Sequence, residues 1–440
     1  MKKRKKNEVN TIENDDFLAQ EAQESQETAE DYTLDIPDDE IWTYQIEGLQ
    51  KPHINEPFEN ATLKKIIVVI TLLIAIGTAI FLSVRAVHSD EFKYEQLSDG
   101  TYELIKYSNP GKVKEVTIDY VVDVKTGKKD TSKPITKIHE YAFNCDESVT
   151  KINIGKTVKN IDGKSIYSCW GIANVFVDKE NPYYCDINGV LYNKDVTEIV
   201  FYPTDHDREL RLQNGYAKLD KKGEQHSILV DDDGKEMEEL WGTTKKYNEA
   251  YYQKYNRNTR TYVVPSSVKT IGELAFAYSN ITDLYIPEGV SRMENMAIFK
   301  NTVLVNIFSY KASKPVVETS YKAIDNMDEI YSSLPEGLEF IGSDCMYYLR
   351  GLSYMYIPSS VKEIKHHAFW DAVYDEDGEL KGITEINIAL DENTFNTKCT
   401  TGDQWRPQYD YMLFKKSVDL KYSTKRKSQK ANNIHREYYW

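Results

Sequence analysis

Two adjacent histidines, His366 and His367, are the first residues whose types could do chemistry, either as metal ligands or as an acid and a base. Neither role has the spacing it needs, because no H-E-x-x-H or comparable ligand pattern follows them. A surface or coil-filling role is expected. The runs DDDG (231–234) and DEDG (375–378) invite calcium. An EF-hand loop, however, needs an acid two residues earlier and a glutamate at its end. Leu229 and Leu240, or Val373, occupy the first or last of those positions, so both runs read as polar turns. The five cysteines (Cys145, Cys169, Cys185, Cys345, Cys399) are too scattered for a disulfide framework or a CxxC metal site. Cys345 is expected to be a small buried filler, and Cys145 and Cys169 to pack without a bond. The sequence contains no G-x-S-x-G, phosphate-binding loop or Cys/His nucleophile pattern. It therefore proposes no catalytic residue, metal or cofactor, and the chain reads as a binding protein and not an enzyme.

Such residues must be carried by something, and beyond His88 that is an internal repeat of roughly 22 to 24 residues. The units are ITKIHEYAFNCDESVTKINI (135–154), VKNIDGKSIYSCWGIANVFV (158–177), VKTIGELAFAYSNITDLYI (268–286), VSRMENMAIFKNTVLVNIF (290–308), LEFIGSDCMYYLRGLSYMYI (338–357) and VKEIKHHAFW (361–370), the last closed by ITEINI (383–388). Each begins with V-x-x-I, as in Val158/Ile161, Val268/Ile271 and Val361/Ile364. A small residue then precedes a bulky one: Ala142-Phe143, Ser165-Ile166, Ala275-Phe276, Ala297-Ile298, Cys345-Met346 and Ala368-Phe369. The closing L-x-x-I-x-I alternates as a half-buried strand does, with Ile152/Ile154 and Leu284/Ile286 inward. One coil cannot bury its own apolar edge, so coils must stack and their like strands form a parallel sheet at ~4.8 Å spacing. The fold class is a repeat solenoid, mostly β and irregular, with one parallel strand per coil.

The I-x-x-x-A-F-x-x-C core and the Pro-S-S-V-K-x-I joints resemble the BspA-like (Treponema-type) leucine-rich repeats of bacterial surface proteins. NPYYCDINGVLYNKDVTEIVFYP (181–203) resembles the larger hairpin rung that interrupts such arrays. DGTYELIKY (99–107) and VKEVTI (113–118) resemble their opening cap strands. The resemblance implies a surface-exposed adhesion or interaction protein.

If the aliphatic strand positions point inward, the alternate ones form an exposed face. The candidate ligand-binding residues there are Asn174, Phe176, Asp283, Tyr285, Tyr354 and Tyr356, with an aromatic stripe suited to contacts with protein or glycan. The plain alternative is that tyrosine, of which the chain has 33, simply suits strand surfaces.

The stretch Ile66 to Val84, IIVVITLLIAIGTAIFLSV, is uncharged and bounded by Lys64-Lys65 and Arg85. It matches the ~20 residues a helix needs to cross a bilayer. Basic residues are denser before it than after it, which places the N-terminus in the cytoplasm and the C-terminal bulk outside. Residues 7–60 hold 16 acidic side chains and one lysine. Such a segment buries too little apolar surface to fold, although Tyr32 to Phe58 could form a docking motif. A formal net charge of −15 argues against nucleic acid as a partner.

The expected organisation is a disordered acidic tail (1–63), a transmembrane helix (64–87) and cap strands (88–134). Repeats with a hairpin rung (135–203), an insertion (204–262), further repeats (263–390) and a C-terminal extension with a basic tail (391–440) follow. The first functional expectation is a membrane-anchored extracellular protein that binds protein or glycan in adhesion at a bacterial cell surface. The alternative is a single-pass sensor whose solenoid binds a ligand and whose acidic tail signals inside. A third possibility is an enzyme site hidden in residues 204–262 or in the C-terminal extension.

Overall fold

The computed structural model describes residues 92–426 apart from 109–112, 124–125, 144–147, 167–168, 220–224, 228, 231–235, 238–256, 371–372, 375–379, 384 and 407–417. These belong to one compact unit, 75–440. The expected acidic tail, the 64–87 helix, both acidic turn runs and Cys145 lie outside the described residues. Among those that are described, no helix is long and apolar enough to cross a membrane.

The chain opens with a hairpin, Phe92–Gln96 against Tyr102–Tyr107, and Tyr102–Tyr107 then pairs parallel to Lys129–Ile138. VKEVTI, expected in the cap, is instead the first rung of a parallel ladder. Glu115–Ile118, Lys151–Ile154 and Asn174–Val177 align so that Val116, Ile152 and Val175 lie in one row. The reason is the alternation in EVTI, which matches that of KINI and lets Val116 and Ile118 enter the same core.

The hairpin rung follows as expected. Tyr184–Ile187 and Val190–Asn193 are joined by Asn188-Gly189, with φ of 53° and 81°, the positive values a two-residue turn of this twist requires. A second strand ladder is Thr261–Val263, Asp283–Pro287 and Asn306–Lys311. A third is Tyr354–Ile357, Glu385–Ile388 and Asp419–Tyr422. The register of the 290–308 unit, open by one residue in the sequence, is set by Leu284 opposite Ile307.

Each coil in fact contributes two parallel ladders. The last residue of V-x-x-I, isoleucine or Met293, sits in a two-residue strand, and Thr270–Ile271, Arg292–Met293, Phe340–Ile341 and Glu363–Ile364 align between the longer Glu198–Phe201 and Thr400–Thr401. Between the ladders, the small–bulky pair makes a third set of bonds. Phe276 N–H donates to the Ala297 carbonyl, Ile298 to Cys345, Met346 to Ala368 and Phe369 to Trp405. The residue before the pair is left-handed in every coil but one: Tyr141, Leu274, Met296, Asp344, His367 and Gln404 have φ of 52° to 60°, whereas Lys164 lies in the short helix Gly163–Ile166. A non-glycine residue there costs roughly 1–2 kcal/mol. The repeated inter-coil hydrogen bonds offset that cost.

The last of these bonds shows that the C-terminal extension does not leave the repeat. Gln404-Trp405 takes the place of Leu274-Ala275, and Trp405 packs against Phe369 and Phe395. The remaining rung, Asp419–Tyr422, closes this terminal coil. The main core runs without a break from Val190 to Val418 and includes Cys345 and Cys399.

Candidate binding surface

The six residues expected on an exposed strand face do not share one. Phe176 is exposed at 37%, with the Lys151 ammonium 5.7 Å from its ring centre. Tyr354 is half-buried. Asn174, Asp283, Tyr285 and Tyr356 are only 7%, 0%, 2% and 1% exposed, which overturns their assignment to an accessible face.

The cause differs at each position. The hairpin tip covers Asn174, and its side-chain oxygen occupies the space where Gly189 would carry a Cβ. Tyr285 lies under the irregular stretch after residue 311, packed with Phe308, Val316, Ala323 and Ile324. Asp283 is enclosed among Thr261, Thr282 and Asn306, whose amide donates to it at 2.7 Å. Tyr356 donates to the Thr424 carbonyl at 3.2 Å, beneath the chain that follows the last rung.

An accessible aromatic stripe does exist, at the turn after the small–bulky pair. Trp170, 39% exposed, meets Tyr278 edge-on at 4.4 Å between ring centres. Tyr278 meets Phe299 at 5.7 Å, Phe299 stacks on Tyr347 at 5.3 Å, and Tyr347 on Tyr348 at 6.1 Å. Tyr348 N–H donates to the carbonyl of Trp370, the next ring in line. All except the well-exposed Trp170 are half-buried.

The coil repeat sets the spacing from Tyr278 through Phe299 to Tyr347, since these separations near 5 Å match the distance between stacked rungs, whereas Tyr347 and Tyr348 are consecutive residues of one coil. Tyr278, Lys300 and Tyr348 are themselves left-handed, φ 52° to 65°, so the turn holds equivalent side chains in a row. Two cations border the stripe. The Lys300 ammonium is 5.2 Å from the Phe299 ring, and the Arg350 guanidinium is 4.5 Å from Tyr348.

No role is assigned to these positions from the sequence. The signal was available in A-F-A-Y, A-I-F-K, C-M-Y-Y and A-F-W, an aromatic one or two residues after the bulky member.

His366 and His367 lie at the end of this row and do hold coils together. His366 Nδ1 is 2.6 Å from the Asp403 carbonyl, and His367 Nε2 is 3.0 Å from Gln404. Among the described residues, no group of three His, Cys, Asp or Glu side chains could hold a metal. The Cys345 thiol is pushed up to about 12 by burial and fills the small position, and the Cys169 thiol donates to the Phe143 carbonyl.

Residues 204–262, where an enzyme site was a possibility, contain a cluster of buried charges. Helix His206–Gln213 places Asp207, 1% exposed, 2.9 Å from Arg211 and 3.4 Å from Arg260, with Asn280 on its other oxygen. His206 is buried and contacts the Ala173 carbonyl at 2.7 Å. His206 reaches the Ala173 carbonyl and Asp207 accepts from Asn280, both in neighbouring coils, so the cluster ties the inserted helix down.

Asp205, just before that helix, is raised from its ordinary 3.8 to about 7, chiefly by burial and then by the adjacent Asp207 charge. The folded state therefore holds this proton more tightly between pH 4 and 7, and the stability it supplies is lost as pH rises through 7. Asp205→Asn is expected to leave thermal unfolding nearly unchanged at pH 4. At pH 8 it should stabilise the chain by about 1–2 kcal/mol, well below the full shift because the Asp205 side chain is 22% exposed and water partly solvates its charge. An unchanged or lower melting temperature at pH 8 would contradict this.

The BspA-type leucine-rich repeat region model matches residues 110–202 and 245–374 in six copies, just over half of the sequence. The chain belongs to the BspA-type leucine-rich repeat family. Every ring of the stripe, from Trp170 to Trp370, falls inside the matched BspA-type stretches, whereas the terminal coil lies beyond them. No curated protein matches the sequence.

Among solved structures, the pneumococcal vaccine antigen PcpA is similar at 11% identity, over 70% of this chain and 95% of that one, with a TM-score of 0.29. A leucine-rich repeat protein from Bacteroides ovatus is 15% identical over 71% of this chain and 66% of its own, TM-score 0.28. A leucine rich cell surface protein from Faecalibacterium prausnitzii is 15% identical over 71% and 92%, TM-score 0.24. At these values they add nothing to the BspA-type assignment, which rests on the family match and the ladders.

Proposed function

We propose that this protein is a recognition module tethered to a bacterial cell membrane, which binds a protein or glycan outside the cell through the turn-face aromatic stripe. The observation that carries this reading is the run of half-exposed rings at coil spacing. Monomeric proteins rarely leave so many large rings together in solvent unless they bind something. Neighbouring rings give flat apolar faces for sugar or side-chain stacking, and Lys300 and Arg350 add charge at the border. The uncharged stretch 66–84, flanked by lysines on its N-terminal side, supports the tether and the outward orientation.

The test uses the full chain in detergent, applied to arrays of glycans and of extracellular-matrix proteins. The wild-type chain should be retained on a defined subset. Tyr278→Ser, Phe299→Ser and Tyr347→Ser together should weaken that retention at least tenfold, at about 1–3 kcal/mol per ring lost from a contact, with the melting temperature little changed. Retention that survives the triple substitution sinks the stripe as the contact surface. Retention on neither array removes the binding reading.

A further inference from the structure

After the last rung the chain turns back across the coils as a short arm, residues 423–426. Ser423 N–H donates to the Ile388 carbonyl, the Thr424 carbonyl accepts from Tyr356, and Arg426 then enters a pocket between the second and third strand ladders. The pocket is built for a guanidinium. Arg426 Nη2 is 2.6 Å from Glu288 Oε1 and 2.7 Å from the Ser333 hydroxyl, and it also reaches the Ser309 hydroxyl. Nε lies 3.3 Å from Glu336, and the guanidinium plane sits 4.0 Å from the centre of the Tyr331 ring. Ser309 and Ser333 are buried. Ser309 stands opposite Ile286 in the strand ladder, so a hydroxyl occupies a position aliphatic in the preceding coil.

Two carboxylates, two hydroxyls and a ring face are more than a surface ion pair needs. Together they match the planar fork and stacking surface of arginine and fit lysine poorly. The arm itself is lightly held. Thr424 and Lys425 are exposed, and none of residues 423–426 carries an apolar side chain. Beside the pocket, residues 309–311 pair antiparallel with 329–331, and the part of the rung before them, 306–308, has no strand partner among the described residues toward the 354–357 rung. A crevice of about 180 Å³ there is lined by Asn306, Ile307, Ser333, Tyr354 and Tyr356.

We propose that this pocket is a binding site for an arginine side chain presented by another polypeptide, and that the chain's own Arg426 fills it as an intramolecular plug. The incoming segment would replace the arm and lay its flanking residues along the open crevice. The site lies at the strand ladders and is independent of the aromatic stripe.

The probe is the fluorescent octapeptide Lys-Tyr-Ser-Thr-Lys-Arg-Lys-Ser, the sequence of residues 421–428, added to the full chain in detergent. Arg426→Ala is expected to bind it at least tenfold more tightly than the wild-type chain, in which the tethered arm competes at millimolar effective concentration. A peptide with lysine in place of arginine should bind at least tenfold more weakly. Adding Ser333→Ala, or Glu288→Gln with Glu336→Gln, to the Arg426→Ala chain should remove binding, and the serine change keeps the test valid if the glutamine pair disturbs folding. Equal binding to wild-type and Arg426→Ala chains overturns the plug. No binding to a folded Arg426→Ala chain overturns the site. A wild-type dimer that Arg426→Ala converts to monomer places the arm in a second copy, and it too overturns the intramolecular plug.

Discussion

Phe276→Ala should destabilise the chain by about 3–5 kcal/mol, read from urea unfolding followed by circular dichroism. The ring is fully buried at the centre of the main core. It lies 5.6 Å from Tyr202 and 5.7 Å from Tyr262, so it joins the hairpin rung, the second strand ladder and its own coil. Truncation removes the transfer energy of the ring and leaves a cavity that the stiff inter-coil bonds on either side keep from collapsing. Because each coil of a solenoid contacts only its neighbours, the loss should also split the array and broaden the transition. Phe176→Ala supplies the contrast. That ring is exposed, and its removal should change stability by no more than about 0.5 kcal/mol. A loss below 1 kcal/mol for Phe276→Ala would mean that the small–bulky pair is not what holds the coils together.

That pair, with V-x-x-I and the alternating strand, was legible because each marker is apolar and recurs at fixed offsets. The ladder of short strands was not, since two-residue strands such as Thr270–Ile271 are too short to produce alternation. Nor was the left-handed residue before most pairs, which is Tyr, Leu, Met, Asp, His or Gln in different coils and has no compositional signature. The terminal coil escaped because Trp405 stands where the other coils have alanine, serine or cysteine. A bulky residue fits that position in a coil at the end of the array.

The strand face failed for a different reason. Alternation correctly separated Leu284 and Ile286 from Tyr285, but a side chain that points away from one core is not thereby in solvent. The irregular stretch near 309–331 was visible in the sequence only as a departure from the repeat. Its Val316, Ala323 and Ile324 build a second small core over Tyr285, Phe308 and Tyr310. Edge protection contributes as well. Val263 N–H donates to the Thr319 carbonyl and Ser266 N–H to Val316, so the same stretch closes an exposed strand edge. What covers a face is decided by residues distant in sequence, and local periodicity carries no information about them.

Asp207→Asn should cost about 2–4 kcal/mol, opposite in sign to the neighbouring Asp205→Asn at pH 8. Two residues apart on the same short element, the carboxylates differ in what faces them. Asp207 is 1% exposed and bonded to Arg211 at 2.9 Å, with Arg260 at 3.4 Å. Among the described residues, Asp205 is paired more loosely, with Arg208 at 3.5 Å and Arg211 at 3.9 Å. Removing the Asp207 charge leaves two guanidiniums, each less than one-fifth exposed, facing a neutral amide. Breaking one partner of such a buried set is far more costly than the set is worth as a whole. Arg260 directly precedes the Thr261–Val263 rung, so the damage should reach the second ladder and not stop at the inserted helix. Hydrogen exchange would then show faster opening at 261–263 as well as 206–213. Loss of protection confined to the helix would mean that the cluster anchors only itself, and an unchanged unfolding free energy would mean that the Asp207 carboxylate does not hold the two guanidiniums in place.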